Sequence, residues 1–158
     1  PHAEILRAAS LVTLDNADKV RGRRVLVIED GPTLTHGGMT TGAGFVAARA
    51  AGAREIIDPR PFAAPDIARV YAQYPHIGAV LPAVGYSAQQ LAALEQTINA
   101  SDAEAVIVAT PADLAALVRI NKPVVRARYE FAEAEDTALQ DRVMQFLRES
   151  KLAHRGKA

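Results

Sequence analysis

Apolar runs with the length of buried strands alternate along this chain with stretches of helical periodicity. Val25-Leu-Val-Ile28 follows Arg23 and Arg24 and reads as a central strand, Val25–Glu29, of a parallel sheet. A helix is predicted from about Met39 to Ala51, then a strand at Glu55–Asp58 that Pro59-Arg60-Pro61 ends. Pro65 to Gln73 reads as a helix and Ala79–Val84 as a strand, with Pro82 marking a bend or an edge. Ser87 suits the N-cap of a helix reaching Asn99, Ala105–Ala109 is a strand, and Pro111 fits the first turn of a helix ending near Arg119. Val124–Tyr129 is the last predicted strand. Leu139, Val143, Phe146 and Leu147 give Thr137–Leu152 the spacing of an amphipathic helix.

Repeated strand–helix units with short connections imply an α/β fold: a Rossmann-like three-layer sandwich with a mostly parallel sheet. The expected organisation is an extension, or the end of a preceding domain, at 1–20, with a short strand in Ile5–Thr13. A Rossmann-like domain follows at 21–130, and a C-terminal helix and tail at 131–158. The acidic run Glu133–Asp136 reads as a linker that also puts negative charge at the start of the last helix. The chain opens at Pro1 without an initiator methionine, which suggests an excised fragment.

Composition narrows the classes of function. At 158 residues and 49% hydrophobic, the chain is sized for one good core. Its 18 basic and 18 acidic residues cancel, so no large field points to nucleic acid or an anionic membrane, and any anion must be recognised locally. The absence of cysteine removes disulfides, thiolate zinc sites and cysteine nucleophiles. No leader and no run of about 18 apolar residues is present, so the expectation is a soluble, cytoplasmic chain, with a homo-oligomer left open.

Parallel sheets bind ligands at the carboxyl ends of their strands, and the richest chemistry follows the first central strand. Glu29 and Asp30 are candidates for Mg²⁺, and Asp30 is also a candidate for catalysis, although Asp before Gly equally suits a turn. His36 is either a general base or metal ligand, or simply holds the turn by a hydrogen bond. Thr33 and Thr35 bind phosphate, cap the helix, or both. Gly37 and Gly38 allow main-chain N–H groups close to an anion. Arg60 is a candidate phosphate ligand, with an ion pair to Asp58 as its alternative. Gly85 and Tyr86 follow the third strand and Thr110 to Asp113 the fourth. Arg126 and Arg128 share a strand face by period two, either reaching one anion or solvating an edge. Lys122 shapes a turn or contacts phosphate, and His76 reads first as a packed loop residue.

Glu29-Asp-Gly-Pro-Thr-Leu-Thr-His-Gly37, Asp58-Pro-Arg-Pro61, Tyr74-Pro-His-Ile-Gly78, Leu81-Pro-Ala-Val-Gly-Tyr86, Leu94-Glu-Gln-Thr-Ile-Asn99 and Ile120-Asn-Lys-Pro-Val-Val-Arg126 resemble the C-terminal part of the predicted-GTPase family related to cyclic 2,3-diphosphoglycerate synthetase. The resemblance covers about Val20 to Glu130. It implies a longer protein with a P-loop nucleotide-binding domain, and a synthetase activity that uses ATP to close 2,3-diphosphoglycerate into its cyclic pyrophosphate. This sequence has no G-x-x-x-x-G-K-[ST] stretch, and Asn121-Lys122-Pro123 is followed by Val124 where a guanine-reading motif has aspartate. ATP or GTP would therefore be held by a domain outside this sequence. The expectation is the domain of a phosphotransferase or ligase that binds a phosphorylated small acid. The alternatives are a non-catalytic ligand-sensing or oligomerisation module and, more remotely, an autonomous hydrolase built on His36 and Asp30.

Overall fold

The computed structural model describes residues 5–85, 87–133 and 138–155. The chain divides into two compact units, one of Val12–Tyr129 and the other of Pro1–Leu11 with Glu130–Ala158. Six strands and six helices follow in order: β1 (Ala8–Leu14), β2 (Arg24–Asp30), α1 (Gly31–Thr35), α2 (Ala43–Ala50), β3 (Glu55–Ile56), α3 (Pro65–Gln73), β4 (Leu81–Ala83), α4 (Ala88–Ala100), β5 (Ala105–Ala109), α5 (Leu114–Leu117), β6 (Val124–Glu133) and α6 (Ala138–Arg155). The α/β reading holds, with a mostly parallel sheet flanked by helices.

The strand order is β1-β6-β5-β2-β3, with β4 also paired to β2. β5 occupies one side of β2 from Val25 to Glu29. On the other side β3 pairs with Arg24 and Val25, and β4 with Ile28 to Asp30, so that edge is shared by two short parallel strands. Pro82 sits in β4 opposite Glu29. An edge strand tolerates the missing N–H, as the sequence suggested. Successive strands thus leave β2 on one side and resume with β5 on the other. The carboxyl ends of β2 and β5 form the switch point where such sheets open a crevice.

β2 and β5 are buried almost throughout, as their unbroken apolar runs require. α2 lies against one face of them. A Cβ added at Gly44 would stand 2.7 Å from Ala109 Cβ and 2.9 Å from a Val27 methyl, so only glycine permits this approach. On the other side of the core, Tyr71 of α3 is buried and donates to the Val80 carbonyl at 2.7 Å. Its burial pushes the phenol pKa well above the usual value.

Several predicted elements changed: the strand expected at Ala79–Val84 shortens to β4, the one expected at Val124–Tyr129 runs on to Glu133, and the one expected in Ile5–Thr13 is Ala8–Leu14. α2 begins at Ala43, not Met39, because its first N–H groups are capped by a side chain from β2 and the preceding residues remain a loop. β3 stops at Ile56, where the Asp58 carboxylate takes the Arg60 N–H and a 3-10 turn, Arg60–Phe62, begins. The helix expected from Pro111 to Arg119 shortens to α5. Val118 is extended and buried, and the Arg119 N–H is taken by Glu95 and its carbonyl by Asn99. Of the acidic run Glu133–Asp136, residues 134–136 lie outside the described residues, and Glu133 accepts from the N–H groups of Leu139 and Gln140 at the start of the last helix. Among the described residues no helix is long and apolar enough to cross a membrane.

Candidate functional site

β2 delivers Glu29 and Asp30 to the switch point with their side chains in opposite environments. Glu29 is 1% exposed. Its carboxylate accepts from Gly42 N at 3.1 Å, Gly44 N at 3.2 Å and Phe45 N at 2.8 Å, using both oxygens. Burial raises its pKa above the usual carboxylate value, and these three N–H groups oppose the rise. Asp30 is half-buried and caps α1, accepting from Thr33 N at 3.3 Å and Thr33 Oγ1 at 3.0 Å. Asp30-Gly-Pro-Thr is an N-cap followed by an early proline, so α1 had a local signature in the sequence.

The rest of this turn is held largely by its own atoms. Thr35 Oγ1 donates to the Gly31 carbonyl and lies 3.0 Å from His36 Nδ1. His36 is the exposed C-cap of α1. The Gly37 N–H donates to the Pro32 carbonyl, and Gly38 adopts φ +66°. The turn is tied to Tyr74–Val80, since a His76 ring nitrogen lies 2.9 Å from the Leu34 carbonyl oxygen and Gly78 N donates to the Thr40 carbonyl. His76 was expected as a packed loop residue; it is exposed, and its ring holds the loop through the Leu34 carbonyl and an edge contact with Tyr74.

Arg60 meets the same segment from the other direction. Its guanidinium pairs with Asp58 at 2.9 Å, donates to the Ile77 carbonyl and lies 4.9 Å above the Tyr71 ring. The Asp58 pair named as the alternative is therefore formed, and two further attachments fix the arginine. Gly85 has φ +73°, and a Cβ there would collide with the Gln90 side chain, which belongs to the Ser87 capping box of α4. Tyr86 lies outside the described residues.

Lys122 is not brought to this turn. It precedes β6, whose first residues pair with the start of β5, and therefore lies at the amino edge of the sheet. There Lys122 Nζ donates to the Asn99 carbonyl and the Asn121 side chain, and burial lowers its pKa. The same edge carries the ion pairs of Arg24 with Glu55 and Asp102. Arg126, by contrast, pairs in register with Val108 towards the carboxyl end, and one of its Nη atoms donates to the Pro111 carbonyl at 2.9 Å.

Among the described residues no three His, Asp or Glu side chains cluster as a metal site. Thr110, which the sequence placed in the turn after the fourth strand, directly follows β5. It is 2% exposed, and its Oγ1 is a buried side-chain atom with no hydrogen-bond partner. Asp15 is a group that the sequence reading passed over. Its carboxylate accepts the Arg126 N–H at 3.0 Å, a pairing across the fold that no local sequence signal announces.

The chain has a synthetase relative. It is 50% identical over 141 residues to the arginine synthetase ArcE of Thermococcus kodakarensis, an alignment that takes in 89% of this chain and 32% of that protein. The chain thus spans about a third of the length of this curated relative. No family profile and no solved structure matches it. A synthetase accords with the ligase side of the resemblance found in the sequence. The relative's name carries neither GTPase activity nor cyclic 2,3-diphosphoglycerate.

Proposed function

We propose that this chain is the substrate-holding domain of a nucleotide-dependent synthetase that forms arginine. The 50% identity to arginine synthetase ArcE, sustained over 89% of the chain, carries this reading. Forming a guanidinium requires the departure of an oxygen or another poor leaving group from the central carbon, and a nucleoside triphosphate supplies that activation. The sequence has no P-loop, so the nucleotide and any accompanying Mg²⁺ belong in this reading to another domain. The switch point of β2 and β5, with His36 and the Gly37-Gly38 turn at its surface, is where this domain would meet the phosphate of the activated small molecule. A phosphorylated intermediate keeps the phosphate chemistry expected from the sequence within the arginine reading.

The test is a chimera in which this chain replaces the matching third of the Thermococcus protein. It is assayed for arginine under the conditions that support the parent. The folded chimera should form arginine in a nucleotide-dependent manner, and the 158-residue chain alone should not. A folded but inactive chimera beside an active parent would overturn the reading.

A further inference from the structure

A recess that none of the β2-turn residues lines lies between β5, β6 and the connection that joins them. It is a cavity of about 180 Å³. Val108 and Leu114, both buried, and half-buried Val124 give it an apolar wall, while Asp15, Asp113 and Arg126 supply its charges. Neither Asp30, His36 nor Arg60 lines it. The volume is below the roughly 300 Å³ at which sites for drug-sized ligands begin, and suits a single amino acid.

Two of the charged groups are not consumed by the fold. Asp113 occupies the N-cap position of α5 without making a side-chain capping bond. Arg126 gives one Nη to the Pro111 carbonyl, and its guanidinium has further N–H donors at the recess. With two carboxylates and one guanidinium the recess has a formal charge of −1, the complement of a ligand with one carboxylate and two cationic groups.

From this complementarity, we propose that the β5–β6 recess binds a cationic α-amino acid of the arginine class. The ligand carboxylate meets Arg126, its cationic groups meet Asp113 and Asp15, and its methylenes lie on Val108 and Leu114. The assignment deepens the synthetase reading and takes its choice of amino acid from it. It replaces phosphate with carboxylate as the anion held by Arg126.

Calorimetry on the 158-residue chain tests it with L-arginine, agmatine, L-norvaline and inorganic phosphate as probes. L-Arginine should bind. Asp113→Asn and Arg126→Met should each weaken binding by about tenfold, the loss of one charge-assisted contact. Agmatine, which lacks the carboxylate, and norvaline, which lacks the guanidinium, should bind the native chain at least about tenfold more weakly for the same reason. Asp102→Asn, a charge change at the amino edge, should leave binding intact. No arginine binding by the folded chain, binding indifferent to both recess variants, or displacement of arginine by a lower concentration of phosphate would each overturn the proposal. An active chimera whose arginine output is unaffected by Asp113→Asn and Arg126→Met would remove the recess while leaving the synthetase reading standing. An inactive chimera beside Asp113-dependent arginine binding would do the reverse.

Discussion

Glu29 is the residue on which the two sides of the switch point depend. A buried carboxylate is costly unless hydrogen-bonded, and here three main-chain donors supply that compensation while fixing the start of α2. Glu29→Ala would remove the acceptor from all three, and each unsatisfied buried donor costs about 1–3 kcal/mol. The expected loss is at least about 3 kcal/mol in urea unfolding, and a loss below about 1 kcal/mol would show that solvent or another group replaces the carboxylate. The pH dependence is separable. Because burial raises the folded pKa above the ordinary value of 4.5, the stabilising contribution is complete below that value and is lost as pH rises through the folded pKa. Glu29→Gln, which does not titrate, should therefore gain stability relative to the native chain as pH rises across that window. A constant difference between the two unfolding curves would contradict this.

At the scale of elements, the seating of α2 on the sheet rests on Gly44. The Cβ of Gly44→Ala would stand 2.7 Å from Ala109 Cβ and 3.2 Å from Glu29 Oε1, so the helix must lift from both its packing surface and its capping carboxylate. Overpacking of this kind costs about 1–3 kcal/mol. A gain in helix propensity of up to about 1 kcal/mol offsets only part of it. The variant should unfold at a lower temperature in a calorimetric scan, and an unchanged or higher melting point would mean that α2 shifts without penalty. This seating also explains what was legible. β2 and β5 could be read because their burial is written in consecutive Val, Leu and Ile residues, and α4 because Ser87 and Gln90 form a local capping box. The start of α2 could not, because its cap comes from Glu29 on a strand. Helical periodicity alone ran the helix back to Met39. The early end of α5 is likewise imposed by Glu95 and Asn99, side chains from α4.

Across the whole molecule, sequence order located the carboxyl-end turns but not the partners that arrive from elsewhere. Asp30 through Gly38 could be read as one polar turn because they are contiguous. Arg60 proved committed to Asp58, Ile77 and Tyr71, and Lys122 to the opposite edge, because those assignments depend on where β3 stops and on the direction of β6. Among the described residues the hydrophobic core lies between Val20 and Ala127, whereas Val143, Phe146 and Leu147 of α6 are 48%, 65% and 46% exposed. Hydrophobic stabilisation follows the apolar area removed from water, and the described core belongs to the Val12–Tyr129 unit, which is expected to fold without α6. A chain ending at Glu133 should keep a single cooperative transition and melt within about 4 °C of the full chain, the shift that about 1 kcal/mol produces at this size. It should also bind less of a hydrophobic dye, since the apolar stripe leaves with the helix. A fall of more than about 10 °C would mean that α6 carries several kcal/mol of the fold's stability, and the core would then have to be redrawn to include it.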